Sequence, residues 1–164
     1  DKIIGFNIGS AVPEKRWPAE RFADVADYFG NKGYKTVFFG GPMDLDMVKP
    51  VVEQMKTSPI VATGAFKLGP LAAAMKWCDL LITNDSGPMH VAISQGVPIV
   101  ALYGPSNPFF YGPYQAKSIV LESMDHYEIG KSMKQVIKEG NYKGISVITE
   151  EQVIKAAETL LQES

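Results

Sequence analysis

The chain has 164 residues, 46% of them hydrophobic and 21% charged, with 15 glycines and 11 prolines; this is ordinary globular composition with room for one domain, so a two-domain enzyme does not fit. With 18 acidic against 16 basic residues the net charge is −2, which excludes the basic footprint suited to nucleic acid or an anionic membrane surface. A lone cysteine, Cys78, with His90 and His126, offers neither an internal disulfide nor the ligand spacing of a structural metal.

The apolar stretch Ile3-Ile4-Gly5-Phe6 predicts a buried strand, and a loop containing Pro13 and Pro18 leads to an amphipathic helix over 20–29. Phe22, Val25, Ala26 and Phe29 are at helical spacing there, and Gly30 and Gly33 mark its end. The unit recurs as a strand over 36–39, a Gly40-Gly41-Pro42 turn and a helix over 44–56. A short strand at 59–62 precedes a helix over 68–78, with Pro70 in its first turn, where a missing N–H costs nothing. The strand at 80–83 runs through Asn84-Asp85-Ser86-Gly87 into a helix over 88–95, stopped by Gly96. Further strands are predicted at 98–103 and 118–121. The terminal helix over 149–162 carries Val153, Ala156, Ala157, Leu160 and Leu161 on one face and opens on a Thr149-Glu150-Glu151-Gln152 capping box. Residues 122–148 read as a loosely packed excursion with one short helix over 131–138.

Apolar strands alternating with helices require a parallel sheet covered on both faces. The expected fold class is therefore α/β, a doubly wound Rossmann-like parallel sheet of about six strands forming one domain over 1–164. No run approaches the roughly 18 apolar residues of a membrane span, and the start lacks a secretory signal, so the expected compartment is reducing and cytoplasmic. Without an initiator Met, and with an apolar strand at its third residue, the chain is expected to be cut from a longer polypeptide; Met removal or tag cleavage would look the same.

Ligands of open parallel sheets bind beyond the carboxyl ends of the strands, where helix N-termini offer unpaired N–H groups to anions. The loop after the first strand, residues 7–18, carries Ser10, the cations Lys15 and Arg16, and Trp17. The loop after the second carries Asp44 and Asp46 at a helix start, and that after the fourth carries Asp85, Ser86, Gly87 and His90. Each feature has an ordinary reading: a strand-to-helix turn, carboxylates complementing a helix dipole, a solvated Lys-Arg pair, a structural histidine, an N-cap. Three such loops at one sheet's strand ends point beyond these, to an anionic, nucleotide-like ligand.

Four segments then resemble the heptosyltransferase family, glycosyltransferase family nine. They are Gly-Ser-x-x-x-x-Lys-Arg-Trp-Pro at 9–18, Gly-Gly-Pro-x-Asp at 40–44, Asn-Asp-Ser-Gly-Pro-Met-His at 84–90, and Gly-x-Pro-x-x-Ala-Leu-Tyr-Gly-Pro-Ser at 96–106. The likeness runs from residue 3 to about 115, with a weaker echo at 148–153. It implies the C-terminal, donor-binding half of a GT-B glycosyltransferase. Such an enzyme moves heptose with inversion from a nucleotide sugar, usually ADP-heptose, to the lipopolysaccharide core, without cofactor or metal. It also implies an N-terminal acceptor domain that this chain does not contain, which holds the catalytic base, an Asp, and a place at the inner face of the bacterial membrane.

Carried over, Ser10 and Lys15 meet the diphosphate, Lys15 stabilising the leaving group; Asp44 or Asp46 meets the ribose or adenine; Asp85 bonds the sugar; and Ser86, Gly87 and His90 hold the phosphates. The sequence departs from the family in having Asp44 where many members carry a carboxylate longer by one methylene, and in lacking cysteines at 122–148. Three readings follow: a donor-binding half inactive alone, a nucleotide-binding module without chemistry, and, disfavoured, a small complete enzyme using Asp85 and His90 as acid and base.

Overall fold

The computed structural model describes residues 2–104, 117–122 and 144–163. Within them the strands β1 (Ile3–Asn7), β2 (Lys35–Phe39), β3 (Ile60–Val61), β4 (Leu80–Asn84), β5 (Ile99–Tyr103) and β6 (Ser118–Glu122) form one sheet. Every pairing is parallel, in the order β3-β2-β1-β4-β5-β6. The helices are α1 (Ala19–Asn31), α2 (Leu45–Glu53), α3 (Leu68–Met75), α4 (Gly87–Ser94) and α5 (Glu150–Gln162). This is the doubly wound α/β fold that the alternation predicts. From β1 the chain winds outward to β3 and then returns to β4 on the other side of β1, so the loops after β1 and β4 lead to helices on opposite faces of the sheet, the switch point at which open parallel sheets form their ligand crevice.

The period of two along each strand sorts its residues between two cores. Ile4, Phe6, Phe38, Leu80, Ile82, Val100 and Leu102 face one layer, with Phe22, Val25, Ala26 and Phe29 of α1, Val48 of α2 and the apolar face of α5. Val37, Phe39, Leu81, Ile99, Ala101 and Tyr103 face the other, with Met75 of α3 and Met89 and Ala92 of α4. Each large side chain buried this way contributes roughly 1.5–3 kcal/mol. Phe6 and Phe38, partners in the β1–β2 register, also stack with ring centroids 5.4 Å apart.

Four elements differ from the sequence expectation, each for a reason its contacts show. α2 begins only after a 3₁₀ turn at Pro42–Asp44 and stops at Glu53. It stops because the Lys56 and Thr57 N–H groups, which would extend it, donate instead to the Asp27 carboxylate of α1 at 3.0 and 2.9 Å. α3 ends at Met75, since Trp77 and Cys78 close tight turns onto Ala74 and Met75, and Asp79 then exchanges bonds with the Ile3 backbone. β3 is two exposed residues at the sheet edge, after which Gly64, at φ +74°, turns the chain. Residues 144–148, expected to be loose, instead make a 3₁₀ turn at Ile145–Val147 that buries Ile145 and Ile148. Glu122, expected to open the excursion, instead closes β6; the expected helix over 131–138, the rest of the excursion over 123–143, and Pro105 and Ser106 lie outside the described residues.

Candidate functional site

The loop after β1 continues the buried strand through Ile8, Gly9 and Ser10. Asn84, the last residue of β4, fastens it from both ends: Nδ2 donates to the Ile8 carbonyl at 3.0 Å and Oδ1 accepts the Trp17 N–H at 3.1 Å. Arg16 Nε donates to the Ser10 carbonyl at 2.8 Å, so this cation closes the loop on itself rather than standing in solvent. Trp17 does not line the crevice: it is fully buried, edge-on to Phe22, and its indole N–H donates to the Ile148 carbonyl at 2.9 Å. The result is a fixed 3₁₀ turn, Pro13–Lys15, that delivers Lys15 at its end.

Lys15 Nζ is 3.0 Å from Asp85 Oδ2 across the crevice, with the Asp85 side chain 6% exposed. Among the described residues no directed hydrogen bond reaches Asp85 Oδ2; its partner is the ammonium, held by an attraction that depends on distance far more than on angle. Removing either charge would leave the other poorly compensated, which is far costlier than the pair. Next to Asp85, Ser86 is the N-cap of α4 in extended conformation, yet its side chain makes no capping bond. Its Oγ lies 2.7 Å from Nδ2 of Asn7, which also donates to Thr83 Oγ1 at 2.9 Å. Pro88, the second residue of α4, has no N–H to satisfy. Gly87 is exposed, and a Cβ there would meet no atom within 4 Å, so the fold itself does not demand a glycine.

Asp44 closes the 3₁₀ turn after β2 and accepts the Gly41 N–H at 2.9 Å. Its carboxylate also lies directly on the loop after β1, where a Cβ on Gly9 would stand 2.3 Å from Asp44 Oδ2. Gly9 thus admits the contact that ties the second loop to the first. Asp46 is exposed in the first turn of α2, where its charge complements the helix dipole. His90 is exposed in the first turn of α4.

The structure therefore brings Lys15, Asp85 and Ser86 to one crevice, sets Ser10 and Asp44 beside it through the shared loop, and leaves Gly87 and His90 on its open side. It does not draw Asp46 in. Sequence reasoning missed Asn7, Thr83 and Asn84; the available signal was polar residues ending otherwise apolar, fully buried strands. Cys78 lies in the second core, where burial pushes its thiol up to about 12, so it is no nucleophile at neutral pH. Among the described residues no group of His, Cys, Asp and Glu could hold a metal ion, and no helix is long and apolar enough to cross a membrane. A separate cleft of about 260 Å³, lined by Tyr34, Lys35, Thr57 and Ile60 among others, lies where β2 and β3 begin and contains none of these residues. Among the described residues the crevice offers the Lys15 cation, the Ser86 hydroxyl, the uncapped N-terminus of α4 and the Asp85 carboxylate, a set that suits a phosphate bearing a hydroxyl-rich group.

The family model described as glycosyltransferase family 9 (heptosyltransferase) matches residues 1–143. Lipopolysaccharide heptosyltransferase 2 of Salmonella typhimurium is 32% identical over 98% of the chain and 47% of its own length. The crystal structure of a family 9 glycosyl transferase from Veillonella parvula superposes with a TM-score of 0.95 at 84% identity, covering all of this chain and 47% of that one. The structure of E. coli ADP-heptose lps heptosyltransferase II superposes at 0.85 with 29% identity, covering 99% and 47%. The chain thus spans about half the length of these relatives.

Proposed function

The chain belongs to glycosyltransferase family 9, the heptosyltransferases, and on that premise we propose that it is the donor-binding, C-terminal half of a GT-B enzyme transferring heptose from ADP-heptose to lipopolysaccharide core with inversion. The observation that carries this reading is the Lys15–Asp85 pair, 3.0 Å apart beside the uncapped N-terminus of α4. In the reading, the diphosphate enters between the pair and the helix. The Lys15 ammonium, the Ser86 hydroxyl and the free N–H groups of the first turn stabilise the charge that grows on the departing ADP. Ser10 lines the same loop, Gly87 lets the backbone approach the phosphates, and His90 guards the open side. Asp85, freed from Lys15, accepts from hydroxyls of the sugar. Asp44 meets the ribose or adenine, directly or through water, because its carboxylate is committed to Gly41; the exposed Asp46 is the weaker choice.

Inversion also needs a carboxylate on the opposite face of the sugar to take the acceptor's proton. One sheet edge lines only one face, so that base belongs to an N-terminal acceptor domain, and the present chain alone is inactive. Transfer from ADP-heptose to a core acceptor tests this, measured for the chain alone and joined to an N-terminal domain of the family. Transfer only by the joined protein is expected. Transfer by the chain alone, abolished in Asp85→Asn, would recast Asp85 as the base; saturation by ADP with no transfer in either form would leave a nucleotide-binding module without chemistry.

A further inference from the structure

Asn7 is bonded in an unusual way. It is 1% exposed at the end of β1, its Oδ1 has no partner among the described residues, and it nevertheless spends both amide hydrogens on hydroxyls, at Thr83 and Ser86. A buried amide oxygen without a partner is costly, and a residue kept only for packing would be apolar or fully bonded. The directions of these bonds follow from the acceptors. The Thr83 hydroxyl donates its own proton to the Asn84 carbonyl at 2.7 Å, so toward Asn7 it can only accept, which fixes Nδ2 rather than Oδ1 on that side. The second amide hydrogen then points to Ser86 Oγ, 2.7 Å away. Ser86 receives a hydrogen from inside the protein and keeps its own proton for an acceptor outside.

The structure assigns Asn7 the role of a positioning residue: through the relay Thr83, Asn7, Ser86 it holds the Ser86 hydroxyl off the α4 backbone and aims its proton at the phosphate of a bound nucleotide. Two consequences meet at one spot. The Met89 N–H, which an N-cap serine would ordinarily take, is left without that cap, and the serine itself becomes a donor. This rests on the donor-site reading above, since the acceptor is the nucleotide's phosphate. It adds a residue that never touches the ligand.

The test is a double-mutant cycle read by calorimetric titration of ADP and, separately, adenosine into the whole chain. Asn7→Ala should weaken ADP roughly tenfold and adenosine little, as for one misdirected hydrogen bond to a charged group. In a Ser86→Ala background the same Asn7→Ala change should have almost no further effect, because the relay then has no end. Thr83→Val, nearly isosteric and remote from any ligand, guards against a variant that fails to fold. By freeing the Asn7 amide to flip, it should weaken ADP roughly threefold while leaving adenosine unchanged. Equal ADP losses from Asn7→Ala with and without Ser86, or a Thr83→Val chain binding ADP as tightly as the unsubstituted one, would overturn the relay alone. An unsubstituted chain that no concentration of ADP saturates would overturn the donor-site reading and the relay with it.

Discussion

At the start of α5, Thr149 Oγ1 accepts the Gln152 N–H at 3.2 Å and Gln152 Oε1 accepts the Thr149 N–H at 2.9 Å, closing a capping box. At the start of α4, Ser86 occupies the same position and extended backbone, and its hydroxyl caps nothing. The partner decides the difference. Thr149 meets a glutamine three residues on, so its cap is a local property of the segment. Ser86 meets Asn7, 79 positions away, so its state depends on β1 lying beside β4. One helix start is finished by its own sequence and serves stability; the other is held open by the sheet, as the proposed donor site requires.

That contrast can be broken at several points. The largest effect should come from Asn84→Ala, which takes the framework of the open end away. It leaves the Trp17 N–H and the Ile8 carbonyl buried without partners, at a cost of about 2–4 kcal/mol for the two groups in urea unfolding. A cost near that of a surface substitution would mean the loop is fastened by something else. Thr149→Ala should cost about 1 kcal/mol, an ordinary cap. Ser86→Ala takes no helix bond away, so its cost, about 1 kcal/mol, should come from the Asn7 amide hydrogen it leaves without a partner and should vanish in an Asn7→Ala background. A cost of Ser86→Ala that persists without Asn7 would erase the distinction.

The smallest effect concerns the stop of α2. Burial alone would push the Asp27 carboxyl up, but hydrogen bonds from the Thr57 side chain and the Lys56 and Thr57 N–H groups, with the Lys56 charge, hold it below its ordinary value of 3.8. A carboxyl lowered on folding contributes stability that is present above its unfolded pKa and is lost as pH falls through the lower, folded one. Asp27→Asn should therefore be less stable than the parent at pH 7, with the gap in melting temperature narrowing below about pH 4. A gap constant with pH would assign the latch to neutral hydrogen bonds only.

The same contrast explains what was legible in the sequence. The strands and helices were, because strands such as Leu80–Asn84 are buried throughout and α5 repeats its apolar face at helical spacing. The capping box was too, being four consecutive residues. The ends of α2 and α3 were not: Asp27 stops one and the Ile3 backbone follows the other, and neither is near in sequence. In the site, the loops that carry Lys15, Asp44 and Asp85 announced themselves by charge and by glycine and proline. Trp17 read as part of the crevice, yet it is the bolt of the core, because its role is set by Asn84 and Ile148. Asn7 and Thr83 gave only the faint signal of polar strand ends, their work being done across the sheet.

In the proposed reading Lys15 grips the diphosphate in the crevice between β1 and β4. ADP and adenosine titrated into the parent and into Lys15→Ala provide the most direct test, since adenosine shares the base and ribose but lacks the phosphates and so reports any general loss of fold. ADP should weaken by roughly 1–3 kcal/mol and adenosine by much less, as for a charge-assisted bond in a partly shielded site. Equal losses for the two ligands would contradict that reading and reduce Lys15 to the counter-ion of Asp85.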